Sequence, residues 1–379
     1  MPKCRFVERW PHPRRGGDNT EVNTLRLTVD PDSPKTRASQ RLLDAALDRA
    51  AGILRDGGLV ALPTETVYGL GANALDRAAV ERIFAAKGRP PWDPVIVHIA
   101  STAMLEQLVG EVPATAATLM EAFWPGPLTL LLPRSSQVPD VVTAGRPLVG
   151  VRMPAHPVAL ELIRRAGVPV AAPSANLFAH ISPTTAEHVL EDLDGRIDAV
   201  LDAGPTAHGV ESTVLDPGAS PMVIYRPGAV TAEQIRAVAG PVEIYRGGVE
   251  PLTVLKEDTR ETEMEALPSP GVGLRHYAPR ARLVLIDDAR ALVQAAQACR
   301  GERVGIMLPG EFAVPAELPV VTIFKWGRWS APEEMAHLLY AGLRALDAQE
   351  CSVILCPLPP AEGLGAAIRD RLRKAAHPG

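Results

Sequence analysis

The stretch from Leu62 to Ile99 constrains the fold of this chain most strongly, because two apolar runs enclose a strongly polar segment. Between the runs lie a turn rich in threonine and glycine, an apolar periodicity that predicts a helix over Arg77–Lys87, and the loop sequence Lys-Gly-Arg-Pro. Short apolar runs are typical of buried strands, and polar residues between buried strands commonly form a functional site. Lys87 and Arg89 lie in that segment beside small hydroxyl donors, so it favours an anionic ligand, either a phosphate or a carboxylate.

Hydrophobic periodicity predicts an α/β fold in two parts. Between Thr24 and Tyr245, amphipathic helices and short apolar strands mix without strict alternation, which favours a large twisted mixed sheet with flanking helices. From Arg280 onward, the predicted order β-α-β-β-α-β-α is typical of a small Rossmann-like three-layer domain. Its first strand-to-helix turn, Ile-Asp-Asp-Ala-Arg, lacks the Gly-x-Gly-x-x-Gly fingerprint, so no dinucleotide is predicted there.

Composition along the chain divides it into four segments. Residues 1–23 are rich in Pro, Arg, Gly and Asn without periodicity, and we expect them to form a flexible N-terminal extension. The larger domain is then predicted over residues 24–245, and the C-terminal domain over residues 280–379. Between them, residues 246–279 carry many acids together with Gly, Pro and Thr, which is typical of an interdomain linker.

Length, charge and cysteine content narrow the class of protein. The 379 residues suffice for two domains, and the net charge of -5 gives no general preference for nucleic acid. No apolar run approaches the roughly 20 residues that span a bilayer, and the N-terminus lacks the apolar core of a signal peptide. The cysteines form no Cys-x-x-Cys pair and have no histidine at zinc-finger spacing, so we expect no zinc site and a cytoplasmic location.

The individual motifs each allow a functional and a structural interpretation. The chain has no Walker A loop, no Gly-x-Ser-x-Gly elbow and no His-Glu-x-x-His helix. Thr64–Gly71 predicts a strand-to-helix turn, which either binds an anion or only caps the helix. Lys87 either meets a ligand or complements the end of its own helix. His98 alone is more typical of a core histidine, and Arg152, at the end of an apolar strand, is either paired or functional.

Small polar or cationic residues close several later apolar runs: Ser174, Asn176, Ser182, Ser212 and Arg226. Each either caps the next element or contacts a ligand at the carboxyl end of a strand, where open α/β sheets bind ligands. The whole set supplies cations and hydroxyls but no evident covalent nucleophile. Such a set suits chemistry by positioning and charge stabilisation, for example attack on a phosphoryl group.

The order and spacing of these motifs closely resemble those of the YrdC/Sua5 family. The resemblance rests on one long run and seven shorter motifs: Pro63-Thr-Glu-Thr-Val-Tyr-Gly-Leu-Gly71, Lys87-Gly-Arg-Pro90, Val95-Ile-Val-His-Ile99, Val151-Arg-Met-Pro154, Ala172-Pro-Ser-Ala-Asn176, Ser182-Pro-Thr184, Glu211-Ser-Thr-Val214 and Arg226-Pro-Gly228. The linker end over Ser269–Pro279 and the tail over Gly363–Ala376 resemble the long, two-domain Sua5 form.

The resemblance implies a nucleotidyltransferase, a threonylcarbamoyl-AMP synthase. Such enzymes join L-threonine, bicarbonate and ATP to form threonylcarbamoyl-adenylate and pyrophosphate, and the product serves threonylcarbamoyladenosine formation at position 37 of ANN-decoding tRNAs. The implied partners are these substrates, the tRNA threonylcarbamoyltransferase machinery that accepts the adenylate and, as a further candidate, tRNA itself; no membrane is implied. Mg²⁺ would accompany ATP through the phosphate oxygens, so neither a protein metal site nor a tightly bound organic cofactor is implied.

The resemblance also implies a role for each site residue. Lys87 and Arg89 are the implied catalytic cations. The implied contacts of L-threonine are Thr66, His98, Arg152, Ala172 and Ser212. The implied contacts of ATP are Lys87, Arg89, Asp93, Leu148, Ser174, Asn176, Ser182, Arg226, His276 and Tyr277. In this family the linker crosses the mouth of the site, and we expect Arg275, His276 and Tyr277 to touch it.

Two other functions and one departure from the family pattern stand beside this interpretation. The cations could line the surface of a module that binds double-stranded RNA or tRNA without synthase activity, although the chain is acidic and shows no aromatic stacking platform. A carbamoyltransferase like the hydrogenase-maturation proteins would carry cysteine pairs that this chain lacks. The departure is Asp93, where the family usually has Asn; an acid beside ATP phosphates requires a cation nearby.

Overall fold

One eleven-stranded mixed sheet carries the larger domain. The computed structural model describes residues 24–29, 36–245, 253–255, 262–264, 267–273, 276–312 and 321–377, so the predicted extension over residues 1–23 lies outside the described residues. The strands in chain order are β1 (Leu25–Thr28), β2 (Val60–Pro63), β3 (Tyr68–Asn73), β4 (Ile96–His98), β5 (Leu128–Pro133), β6 (Leu148–Arg152), β7 (Val170–Ala171), β8 (Ala199–Asp202), β9 (Thr213–Asp216), β10 (Met222–Arg226) and β11 (Val242–Ile244). Their spatial order, β1-β8-β2-β3-β7-β4-β6-β5-β9-β10-β11, includes parallel and antiparallel pairs and confirms the predicted mixed sheet.

Helices flank this sheet, and capping residues place the most important one. The helices are α1 (Arg37–Arg55), α2 (Arg77–Lys87), α3 (Thr102–Leu108), α4 (Ala114–Phe123), α5 (Asp140–Thr143), α6 (Pro157–Ala166), α7 (Ala186–Leu193) and α8 (Ala232–Ala239). The Asp76 carboxylate accepts from the first backbone N–H groups of α2, and Gly88 ends the helix with a φ of 63°. The predicted helix over Arg77–Lys87 is thereby confirmed, and the chain turns directly toward Arg89.

The prediction of a strand-to-helix turn over Thr64–Gly71 is wrong. Only its first half is a turn, since Tyr68 begins β3, which pairs with β2 in an antiparallel hairpin. The glycines of β3 weaken the strand signal in the sequence. They are required by packing, because a Cβ at Gly71 would come within 2.8 Å of the Leu62 side chain and 2.9 Å of Val170. Helix α2 therefore begins after the hairpin rather than after the turn.

The C-terminal domain is a four-stranded parallel sheet between two helical layers. Its elements are β14 (Arg282–Ile286), α9 (Ala289–Ala298), β15 (Val304–Leu308), β16 (Thr322–Lys325), α10 (Pro332–Ala348), β17 (Val353–Pro357) and α11 (Leu364–Ala376). The sheet order is β14-β17-β15-β16. Leu292 of α9 packs in one core, and Leu339 of α10 and Ile368 of α11 pack in another, which confirms the predicted three-layer domain. Two strands precede it, β12 (Thr253–Leu255) and β13 (Thr262–Met264), which form a hairpin.

The two domains share a buried interface on the side of α10 and α11. Val67 and Val210 of the larger domain belong to the same apolar cluster as Leu339. Gly209 has a φ of 70°, and a Cβ there would lie 2.4 Å from the Ala336 carbonyl oxygen, so this approach of loop to helix requires glycine. Helix α10 is thereby seated directly against the loop that leads to Glu211. None of the helices in the described ranges is long and apolar enough to cross a membrane.

Candidate active site

A cavity with an empty volume of about 550 Å³ lies where the β2–β3 turn, the loop after α2 and the interdomain segment meet. Strands β4, β6, β9 and β10 each bring a polar residue to its wall at or next to their ends. The predicted site residues that line it are Thr66, Arg89, His98, Arg152, Ala172, Ser174, Ser212, Arg226, His276 and Tyr277. The structure therefore gathers residues that are as far as 211 positions apart in the sequence around one cavity.

Arg152 organises one end of the cavity. We name the two ends after the ligands that the family resemblance implies, and this one is the threonine end. Its guanidinium donates to the Thr66 hydroxyl over 3.0 Å and to the Gly126 carbonyl over 3.1 Å. It also forms a buried ion pair with Glu65, with an N···O distance of 2.6 Å. Burial opposes ionisation of Glu65, but the charge and hydrogen bond of Arg152, together with backbone hydrogen bonds, outweigh it and hold the pKa of this carboxyl below its usual value. The alternatives for Arg152 are resolved on this point, since it is both paired and part of the cavity wall.

His98 lies next to Arg152, because β4 and β6 are parallel and pair these two residues directly. Burial and then the charge of Arg152 lower the pKa of His98 to about 3, so its imidazole is neutral at neutral pH. Its Nδ1 has no hydrogen-bond partner within the described residues. His98 thus presents an uncharged ring nitrogen beside the arginine rather than the fully satisfied side chain of a core histidine.

Ser212 and Arg226 connect the two ends of the cavity. The Ser212 hydroxyl lies 2.8 Å from that of Thr129, and Arg226 donates to the same hydroxyl over 3.0 Å. The Arg226 guanidinium also donates twice to the Ser212 carbonyl. Gly271 packs against this arginine, since a Cβ there would lie 2.8 Å from the Arg226 Cδ. The interdomain segment therefore closes directly over Arg226.

Arg89 forms the wall of the other end, which we call the nucleotide end. Its guanidinium donates to the carbonyls of Asp93 and Pro94 and lies 2.9 Å from the Asp93 carboxylate. Burial raises the pKa of Asp93, although the charges of Arg89 and Lys87 oppose this. The acid that departs from the family pattern therefore does meet a cation. Asp93 itself does not line the cavity.

Lys87 lies behind this wall rather than in it. Its ammonium donates to the Ser174 carbonyl over 2.6 Å and also to the Asn176 carbonyl. It does not turn back to the end of its own helix, and burial holds its pKa well below the usual value. Asn176 and Ser182 lie outside the cavity lining as well: the Asn176 amide donates to loop carbonyls, and the Ser182 hydroxyl donates to Glu211 over 2.6 Å.

A second cavity of about 240 Å³ adjoins the nucleotide end. It shares Pro94, Val95 and Pro270 with the first cavity and is lined in addition by Leu148 and Arg146. Leu148, which the resemblance assigned to ATP, thus lies beside the main cavity and not in it. The two spaces are therefore neighbours that share part of one wall.

The interdomain segment forms one wall of the main cavity. Pro270, Gly271, His276 and Tyr277 line it, whereas Arg275 lies outside the described residues. The segment is attached on two sides: the backbone N–H of Leu267 donates to the Trp92 carbonyl, and that of His276 donates to the Lys374 carbonyl. Both the loop after α2 and the last helix therefore hold this wall in place.

Sequence reasoning missed four groups at or behind the site: two acids, one tyrosine and one arginine. Glu65 and Glu211 lie inside motifs that were used to predict the site. Their position next to Thr66 and Ser212 could therefore have identified them. Tyr340 and Arg371 of the C-terminal domain carry no local signal, because they lie on ordinary amphipathic helices. Among the described residues, no group of three or more His, Cys, Asp or Glu side chains is placed to hold a metal ion.

Two family models, two relatives of known name and one crystal structure match this chain over most of its length. Residues 52–228 match the family model described as "Telomere recombination" (Sua5, YciO and YrdC), and residues 230–377 match "Threonylcarbamoyl-AMP synthase, C-terminal domain". The chain is 43% identical to the threonylcarbamoyl-AMP synthase of Pyrococcus abyssi over 89% of this chain and 96% of the relative. It is 45% identical to that of Bacillus subtilis over 88% and 93%. The crystal structure of P. abyssi Sua5 complexed with L-threonine superimposes with a TM-score of 0.80 at 41% identity, covering 93% of this chain and 98% of that one.

Proposed function

This chain belongs to the Sua5 family of threonylcarbamoyl-AMP synthases, and we propose that it forms threonylcarbamoyl-AMP and pyrophosphate from L-threonine, bicarbonate and ATP. One observation carries the proposal: the same cavity is lined by the Arg152 and Thr66 pair and by Arg89 and Arg226. The first pair suits a carboxylate, and the other cations suit phosphates. The relative from P. abyssi binds L-threonine in a closely similar fold.

At the threonine end, the Arg152 guanidinium and the hydroxyls of Thr66 and Ser212 would bind the carboxylate of the amino acid. Ala172 lines the same space with a small side chain. The amino group would then face His98, whose neutral ring can accept a hydrogen bond from it. An amine must be uncharged to attack bicarbonate or CO₂, and a neutral neighbour does not hold it in the charged form.

At the nucleotide end, Arg89, Arg226 and the Ser174 region would contact the triphosphate. The adjoining cavity beside Leu148 would receive the adenosine. Lys87, Asn176 and Ser182 support this end from behind, because their side chains hold the backbone or the acid that faces it. His276 and Tyr277 close it from the interdomain segment. The substrate would be ATP with Mg²⁺ on its phosphates, so the protein need not supply carboxylate ligands.

The reaction follows from these positions. The threonine amine forms a carbamate with bicarbonate and water leaves. A carbamate oxygen then attacks the α-phosphorus, and the bond to pyrophosphate breaks. Arg89 and Arg226 stabilise the charge that develops on the phosphoryl oxygens. Carbamates and mixed anhydrides hydrolyse readily, so the recessed position of the cavity between the larger domain and the interdomain segment would limit the access of water to the carbamate intermediate and to the adenylate product.

The proposal also assigns a role to each segment of the chain and a destination to the product. Residues 24–245 would carry catalysis, residues 246–279 the linker and residues 280–379 the C-terminal domain. The product would be passed, in the cytoplasm, to the machinery that modifies position 37 of tRNA. A module that only binds RNA is less well supported, because Lys87, Arg89 and Arg152 are almost completely buried and cannot form an exposed basic surface.

The test is release of pyrophosphate from ATP in the presence of Mg²⁺. We expect release that requires both L-threonine and bicarbonate and that stops when either is omitted. The adenylate should appear in equal amount by mass spectrometry. Folded protein that releases no pyrophosphate under these conditions, but binds RNA with a steep dependence on salt, would establish the alternative instead.

A further inference from the structure

The carboxylate of Glu211 lies in the wall of the main cavity but is held by the C-terminal domain. The Tyr340 hydroxyl of α10 lies 3.0 Å and 2.9 Å from its two oxygens. Arg371 of α11 donates its Nε–H to the carboxylate over 2.6 Å. The Ser182 hydroxyl donates to the other oxygen over 2.6 Å, from the side of the larger domain. Every one of these side chains is buried.

Two arginines, Arg371 and Arg226, keep the buried carboxyl of Glu211 in its charged form. Burial alone would raise the pKa of Glu211, but Arg371 and Arg226 lower it to about 2, so the carboxylate remains ionised. The Arg371 guanidinium continues to the Pro227 carbonyl over 2.9 Å. It therefore fixes the residues on either side of the Ser212 and Arg226 contact, namely Glu211 before the serine and Pro227 after the arginine.

The same arginine supports the interdomain wall. Its guanidinium carbon lies 5.1 Å from the centre of the Tyr277 ring, which itself stacks on Tyr340 at 5.8 Å with an angle of 27° between the rings. Lys374, one turn further along α11, donates to the Gly271 carbonyl over 2.7 Å. Helices α10 and α11 thus hold both the Glu211 wall and the Tyr277 wall of the nucleotide end.

We propose that Arg371 and Tyr340 are positioning residues through which the C-terminal domain sets the geometry of the nucleotide end. They orient Glu211, and through it the Ser182 hydroxyl and the backbone beside Ser212. This inference rests on the proposed function only for the identity of the ligand, ATP. It assigns the C-terminal domain a part in substrate positioning, beyond a general stabilisation of the chain.

Arg344 supplies a matched control on the same helix as Tyr340. It crosses the same interface and pairs with Glu191 over 3.0 Å and with Asp192 over 2.9 Å. It also donates to the Ile181 carbonyl, but it has no contact with Glu211. A change of Arg344→Met therefore removes an interdomain ion pair of comparable kind without touching the carboxylate in the cavity wall.

The experiment compares Arg371→Met, Tyr340→Phe and Arg344→Met in the full chain, with kcat and both KM values measured from pyrophosphate release. We expect kcat/KM for ATP to fall about 10- to 100-fold in Arg371→Met and about 3- to 10-fold in Tyr340→Phe, as for loss of hydrogen bonds to a charged group. We expect a change of less than about twofold in Arg344→Met, as for a partly exposed ion pair. The KM for threonine should change least, since the cluster lies at the other end.

A double variant separates positioning from folding. Glu211→Gln in the Arg371→Met background removes the uncompensated charge, so we expect it to recover part of the lost kcat/KM for ATP. Equal losses in Arg371→Met and Arg344→Met, or no recovery in the double variant, would overturn the inference. Calorimetric titration with MgATP follows the same series without turnover. Weakened ATP binding in Arg371→Met alone supports the inference even if wild-type protein were to release no pyrophosphate, and unchanged binding across the series rejects it.

Discussion

The two ends of the cavity each contain a buried arginine paired with an acidic side chain, yet the pKa of the acid is shifted in opposite directions in the two pairs. At the threonine end, Arg152 holds the pKa of Glu65 below its usual value. At the nucleotide end, burial raises the pKa of Asp93 despite Arg89. The first pair joins two distant parts of the chain, whereas the second lies within one loop with a spacing of four residues.

This difference shows how one cavity can accept two unlike substrates. A stable ion pair beside a neutral histidine suits a zwitterionic amino acid, whose own charges nearly cancel. At the other end, the guanidinium groups of Arg89 and Arg226 both line the cavity and supply positive charge for a polyphosphate. The same residue types can therefore serve different ligands, because their surroundings differ at the two ends.

The largest effect should follow from breaking the pair at the threonine end. Arg152→Met leaves the Glu65 carboxylate buried without a partner, which costs about 3–5 kcal/mol of folding free energy. We also expect loss of threonine-dependent pyrophosphate release, since the carboxylate of the substrate loses its arginine. Thermal or urea unfolding measures the first effect. The double variant Glu65→Gln with Arg152→Met should regain most of the stability but not the activity; recovery of both would show that Arg152 does not bind threonine.

Removing the cations of the nucleotide end should affect the other substrate. We expect Lys87→Ala or Arg89→Ala to raise the KM for ATP about 10- to 100-fold, as for loss of charged hydrogen bonds, with a much smaller change for threonine. Steady-state kinetics with each substrate varied in turn gives both values. Asp93→Asn added to Arg89→Ala removes the acid left unpaired and serves as the control for folding. Equal effects on both substrates would contradict the division of the cavity into two ends.

A smaller effect is expected at Ser212, where the two ends meet. Its hydroxyl contacts Thr129 and Arg226, so Ser212→Ala removes one neutral and one charge-assisted hydrogen bond. We expect the KM for threonine to rise about 3- to 10-fold, the range typical of a single hydrogen bond. Thr129→Val, which removes only the neighbouring hydroxyl, is the matched comparison. A change confined to the KM for ATP would place Ser212 at the nucleotide end instead.

The smallest effect is expected for Asp93→Asn, and it concerns pH. Because the pKa of Asp93 is raised in the folded state, the folded protein binds more protons than the unfolded chain just above the ordinary pKa of an aspartate. This residue therefore makes stability fall as pH rises through that window, whereas Glu65, with its lowered pKa, has the opposite effect. Urea unfolding at several pH values measures this effect. In Asp93→Asn, the free energy of unfolding should fall less steeply with rising pH in that window than it does in the wild type. A variant curve parallel to that of wild type would contradict the difference between the two pairs.

The sequence predicted much of the fold and part of the site, for identifiable reasons. Helix α2 was predicted with its observed bounds because its periodicity, its Asp76 cap and its Gly88 end are all local signals. Strand β3 was missed because its glycines respond to close packing with Leu62 and Val170, and those neighbours are distant in sequence. The cavity residues could be named from motifs, but which carboxylate each arginine meets could not, since a pair such as Glu65 with Arg152 is formed only by the folded sheet.

The contact between Glu211 and Arg371 also has a consequence for the order of folding. It joins residues 160 positions apart, so it closes one of the longest loops in the molecule, and non-local contacts of this kind form slowly. Most strand pairs of the large sheet join residues fewer than 100 positions apart, although β8 pairs with β1 across 174 positions and with β2 across 139. We therefore expect most of the large sheet, apart from the pairings of β8, to form before the cavity wall that contains Glu211 is complete. During refolding, the far-UV circular dichroism signal should return before the ability to bind MgATP, and simultaneous recovery would contradict this order.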